Sequence, residues 1–124
     1  MLKICIIGLG SIGQRHLKNI HAVAKARGIA VATDVVEPRA LDYLDEPTRA
    51  LVGEQFAAPA EVGRYDMIFV TNPSQLHRET LEAASDKAKF FFVEKPVFTE
   101  ALAADALAPY ADERKFYVDR KSVV

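Results

Sequence analysis

The stretch LKICIIGLGSIGQRHLKNI, residues 2–20, constrains the fold more than any other part of the chain. A short apolar run, Ile4 to Ile7, passes directly into glycines at positions 8, 10 and 13. The run reads as a buried strand. From Ser11 the pattern turns helical: Leu17, Ile20 and Ala24 lie three and four apart, on one face. Gly28 is placed to end that helix. Glycines between a strand and a helix either make a tight turn or open a phosphate site, and spacing alone is a weak guide between the two.

The alternation continues along the chain. IAVATDVVE predicts a second strand ending at Glu37, and PRALDYL reads as helical. Pro47 suits the first turn of another short helical segment. A brief strand is expected over Gln55 to Ala57, and a clear one over Asp66 to Val70, running into the turn TNPS. QLHRETLEAASDK is helical, with Leu76, Thr80, Leu81 and Ala84 toward one side. FFFVEK is a strand, TEALAADALAPYA a helix with Thr99 as N-cap, and KFYV a last strand. Strands that alternate with helices and are apolar throughout belong in a parallel sheet covered on both faces. Right-handed crossovers leave few topologies. The expected fold class is therefore α/β: a doubly wound parallel sheet of order 3-2-1-4-5-6, the Rossmann fold, as a single three-layer αβα domain.

Composition narrows the partners. The 124 residues suit one domain. The formal net charge is -1, without the basic bias of a nucleic-acid binder. No apolar stretch approaches the roughly 18 residues that would span a bilayer. A single cysteine, Cys5, cannot form an internal disulfide and reads as a small core residue. These features predict a cytoplasmic protein that engages neither nucleic acid nor membrane.

In this context the glycines acquire separate tasks. Gly8 permits the tight turn, Gly10 lets the backbone approach a pyrophosphate, and Gly13 lets the helix pack closely on the sheet. Ser11 and Ile12 open the helix, where unpaired N–H groups and the positive dipole end attract an anion. Glu37 ends the second strand, a little over about 20 residues on, where a carboxylate accepts ribose hydroxyl protons. It also repels a 2′-phosphate, which favours NAD over NADP. Arg39 leaves NADP open, because a guanidinium there either stacks on adenine or meets a phosphate. The competing reading is a glycine-rich turn followed by an ordinary surface glutamate. Strand, glycines, helix, strand and acid occurring in order weigh against it.

Two later stretches are not needed by a generic nucleotide fold: Thr71-Asn72-Pro73-Ser74-Gln75-Leu76-His77 and Glu94-Lys95-Pro96. Together with GLGSIGQRHL they resemble the Gfo/Idh/MocA family of oxidoreductases, from Lys3 to about Val118. The resemblance implies that Lys95 is a catalytic acid/base beside both substrate hydroxyl and cofactor. It also implies that Glu94 lies near the nicotinamide ribose, and that Thr71, Asn72 and Pro73 form the floor beside the cofactor. His77 either lines the site or simply occupies the first turn of its helix. Pro96 biases Lys95 away from helix. His16 and His21 read as surface or packing residues, and no cluster has metal-ligand spacing.

Members of that family carry a mostly β substrate domain after the nucleotide fold, and this chain stops at Val124. The expected organisation is an NAD(P)-binding domain over residues 1–118 and a tail over 119–124, with the substrate domain absent. The implied function is the cofactor domain of an oxidoreductase that transfers hydride between nicotinamide and a sugar or polyol hydroxyl, with little or no turnover on its own. The alternative is a non-catalytic NAD(P)-binding sensor or assembly module. A methyltransferase-like fold fits less well, because it leaves the Glu94-Lys95-Pro96 triplet unexplained. A bare crevice side also predicts self-association into a homo-oligomer.

Overall fold

The computed structural model of the chain describes residues 1–73, 76–93 and 116–118. Strand β1 (Leu2–Ile7) starts two residues ahead of the apolar run, because Leu2 and Lys3 find register partners in Val31 and Ala32 of β2 (Val31–Val36). Between them lies α1 (Ser11–Arg27), closed by Gly28 in the left-handed conformation at φ 66°. The remaining strands are β3 (Gln55–Phe56), β4 (Tyr65–Val70), β5 (Ala88–Val93) and β6 (Phe116–Val118). The sheet order is β3-β2-β1-β4-β5-β6, and every pairing is parallel. This is the doubly wound order that the alternation predicted.

Successive strand residues face opposite ways, so β1 feeds two cores. Cys5 and Ile7 join Val36, Ile68, Val70, Phe91 and Val93 beneath Leu81 and Ala84 of α3 (His77–Ala84). Ile6 joins Val35 beneath Leu17 of α1, with Leu9, Leu41 and Leu44. Helix, sheet and helix therefore make the three expected layers. His16 and His21 both pack. The His16 ring lies 5.3 Å from Phe69 and 5.0 Å from Phe92, and His21 Nε2 lies 2.9 Å from the Thr33 hydroxyl.

Several expectations are corrected. The helix expected over residues 38–44 is a single 3-10 turn, Leu41–Tyr43, flanked by extended Ala40 and Leu44. Leu41 and Leu44 are buried at a spacing that mimics a helix, but the Arg39 side chain folds back onto Glu37 and the Tyr43 hydroxyl reaches Leu9. Pro47 does fall in a short helix, α2 (Glu46–Arg49), whose N-cap Asp45 accepts the Thr48 N–H at 2.9 Å. Helix α3 begins later than expected. Leu76 donates its N–H to the Pro73 carbonyl in a turn and remains exposed, whereas Thr80, Leu81 and Ala84 are buried. The helix expected from Thr99 lies outside the described residues.

Candidate functional site

Sheet order reverses between β1 and β4, so the loops leaving their carboxyl ends diverge and open a crevice. A cavity of about 970 Å³ lies there. It is lined by Gly8, Gly10, Ser11, Ile12, Glu37, Arg39, Thr71, Asn72 and Pro73, all of them expected from the sequence. Gly13 does not line it. Its α-carbon faces the Gly8 carbonyl and the Thr71 hydroxyl, which is the close helix–sheet packing predicted for it. The structure adds residues 57–60 and Glu79, Thr80 and Ala83 to the wall. No local pattern marks residues 57–60; they reach the cavity because they follow β3 at the sheet edge.

The glycine loop is fixed by side chains from three other segments. The Thr71 hydroxyl contacts the Gly8 carbonyl at 2.7 Å and the Ile7 carbonyl at 3.1 Å. Glu37 accepts the Leu9 N–H at 3.1 Å. The Tyr43 hydroxyl donates to the Leu9 carbonyl at 2.7 Å. Beyond this anchored turn, α1 begins at an uncapped Gly10 with no acidic residue in its first turn. Its first backbone bond runs from Gln14 N–H to the Gly10 carbonyl. The amides of Ser11, Ile12 and Gly13 therefore have no intrahelical acceptor, and they sit at the positive end of the helix dipole. A β-carbon on Gly10 would meet nothing within 4 Å. The space over the loop is thus open to a ligand that approaches the backbone closely.

Glu37 is buried at the second corner of the cavity. Arg39 binds it through two guanidinium nitrogens, at 3.1 and 2.9 Å, and lies over the Tyr43 ring at 4.4 Å. Burial pushes the Glu37 pKa up, but hydrogen bonds from the Arg39 side chain and from the Leu9 and Arg39 amides outweigh it. The carboxyl is held below its ordinary range and is ionised at neutral pH. Burial and the nearby Glu37 charge raise the Tyr43 pKa, so its hydroxyl keeps its proton and stays a donor. Sequence reasoning missed Tyr43, whose contact with Leu9 spans 34 positions. An uncapped helix start and an ionised acceptor, in one cavity, suit a nucleotide whose phosphates and ribose are recognised separately.

Residues 2–119 match the family model GFO_IDH_MocA, described as an oxidoreductase family with an NAD-binding Rossmann fold. The chain belongs to this family. It is 34% identical over 104 residues to an inositol 2-dehydrogenase of Paracoccus denitrificans, covering 83% of this chain and 31% of that protein. An inositol 2-dehydrogenase of Acidiphilium cryptum is 32% identical over 107 residues, covering 83% of this chain and 31% of that protein. Among solved structures, scyllo-inositol dehydrogenase from Lactobacillus casei with bound NAD(H) and scyllo-inositol superposes with a TM-score of 0.71 at 27% identity. That match covers 95% of this chain and 36% of the other. The chain thus spans about a third of the length of the relatives it matches.

Membership of the Gfo/Idh/MocA family makes NAD the cofactor type of the fold. The family match includes the Glu94-Lys95-Pro96 triplet, which lies outside the described residues. His77 is the first residue of α3, and its side chain also lies outside them. No helix among the described residues is long and apolar enough to cross a membrane.

Proposed function

We propose that the cavity holds NAD with its pyrophosphate over Gly10 and the amides of Ser11 and Ile12, and its adenosine ribose on Glu37. The chain then acts as the cofactor-binding part of a dehydrogenase for a sugar or polyol hydroxyl. One observation carries this reading: an uncapped helix start and a buried, ionised carboxylate share a single cavity and are bridged by one residue, Leu9. The fit is chemical as well as spatial. Diphosphate oxygens accept from the amides, and the ribose hydroxyls donate to Glu37. Thr71, Asn72 and Pro73 form the opposite wall, on the side assigned to the nicotinamide.

When bound, NAD supplies the hydride acceptor. Lys95 takes the hydroxyl proton of the substrate as its carbon is oxidised. Support for that role comes from sequence position: Lys95 follows Val93, the register partner of Val70, by two residues, and Val70 leads into the wall at Thr71. His77 and Glu94 are assigned to the same nicotinamide side. Inositol dehydrogenases among the relatives support a cyclic polyol as the substrate class.

Calorimetry with NAD and with NADP, on the wild-type chain and on Glu37→Ala, tests the cofactor assignment. Loss of hydrogen bonds to a charged acceptor predicts a fall in NAD affinity of about ten- to a hundredfold. NADP, whose 2′-phosphate Glu37 repels, should lose less, so the preference narrows or reverses. An NAD affinity untouched by the substitution overturns the assignment of Glu37.

A further inference from the structure

We infer that Tyr43 is a positioning residue for the pyrophosphate, acting through the Leu9–Gly10 peptide. This rests on the dinucleotide reading above. Tyr43 does not line the cavity. Its ring is half-exposed and lies under the Arg39 guanidinium, and its hydroxyl reaches back to the glycine loop. Two acceptors compete for the single hydroxyl proton: the Leu9 carbonyl at 2.7 Å and Glu37 Oε1 at 3.4 Å. The shorter contact receives it. Arg39 Nη2 donates to the same hydroxyl oxygen at 3.3 Å, which further directs its proton toward Leu9.

Leu9 is thereby held through both of its flanking peptide groups. Glu37 accepts from its N–H and Tyr43 donates to its C=O. The next residue is Gly10, the position where the backbone is open to a ligand. Gln14 Nε2 also reaches this carbonyl, but only at 3.4 Å, so Tyr43 is the close anchor. Held by the long contact alone, the Leu9 carbonyl could rotate with the Leu9–Gly10 peptide plane, and that plane carries the Gly10 N–H. Anchoring the carbonyl therefore fixes the direction of the first amide at the phosphate site. Recognition of the ribose by Glu37 and of the phosphates by the loop is coupled through one residue, Leu9, with Tyr43 keeping the Leu9–Gly10 peptide in orientation.

The substitution Tyr43→Phe removes the hydroxyl and keeps the ring. Titration of the chain with ADP and with adenosine, followed by NMR, separates the two halves of the ligand. The expected result is an ADP affinity reduced about tenfold, with adenosine affinity changed by less than about twofold and the melting temperature essentially retained. Equal losses for ADP and adenosine overturn the inference, because Tyr43 would then serve the ribose corner. Unchanged ADP affinity overturns it too, as does a large fall in melting temperature, which would mark a purely structural tyrosine. A wild-type chain that binds neither probe defeats the dinucleotide reading itself.

Discussion

Glu37 meets the Leu9 amide, the Arg39 guanidinium and amide, and the Tyr43 hydroxyl, and it lines the edge of the cavity. Few carboxylates this buried remain charged, and this one does so because its oxygens are filled with donors. Its folded pKa lies below the ordinary value of 4.5. The ionised form is therefore favoured by folding, and the resulting stability is present above about pH 4.5 and is lost as pH falls through the folded value. Urea unfolding of the wild-type chain and of Glu37→Gln over a pH series reads this directly. The difference between the two should be constant from about pH 6 to 8 and should shrink below about pH 4.5. A difference independent of pH would mean that Glu37 stabilises by packing alone. Arg39 is a separate matter: its side chain is 58% exposed, so solvent screens its half of the pair and little stability is expected from it.

At the scale of the strand–loop–helix unit, the three glycines divide by what a methyl group would meet. Gly8 stands at φ 88° with the Asn72 backbone 2.5 Å from any added β-carbon, and Gly13 is blocked by the Gly8 carbonyl. Gly10 faces open cavity. Replacing Gly13 by alanine should lower the unfolding free energy by about 1–3 kcal/mol, read from the urea midpoint. Replacing Gly10 should leave it within about 0.5 kcal/mol while NAD affinity falls. A Gly10→Ala chain that binds NAD normally would show that the ligand keeps away from the loop. This unit was legible in the sequence because its signals are local: an apolar run, a helical period, and Gly28 at the point where the helix must stop. The sheet order was legible for the same reason, with chirality choosing among topologies. Residues 38–44 were not. Leu41 and Leu44 carry a helical spacing, yet Arg39 folds back onto Glu37, two residues away, and Tyr43 reaches Leu9, 34 positions away, and these contacts outweigh helical propensity. The site was readable wherever a residue type advertises its role, as glycine and glutamate do here. Tyr43 stayed hidden because its role exists only once the chain has folded.

Across the whole molecule, the cavity joins the two halves of the sheet. Its loop and acid come from β1 and β2, and its opposite wall follows β4. A ligand that spans it holds together elements separated by about the full width of the crevice, so binding should oppose global unfolding rather than local fraying. Cys5 provides the probe. It lies fully buried in β1, between β2 and β4, and burial pushes its thiol up to about 12. A native thiol of that kind is both inaccessible and protonated near neutral pH, so a thiol reagent reaches it only when the sheet opens. Under conditions where refolding outpaces labelling, the rate follows the unfolded fraction. NAD at about a hundred times its dissociation constant should lower that fraction, and the labelling rate, about a hundredfold. Slowing by NAD that is matched in a Gly10→Ala chain would separate the ligand from the loop. Labelling insensitive to NAD would mean that β1 opens without the cavity coming apart, and the two halves of the sheet would then not be one cooperative unit.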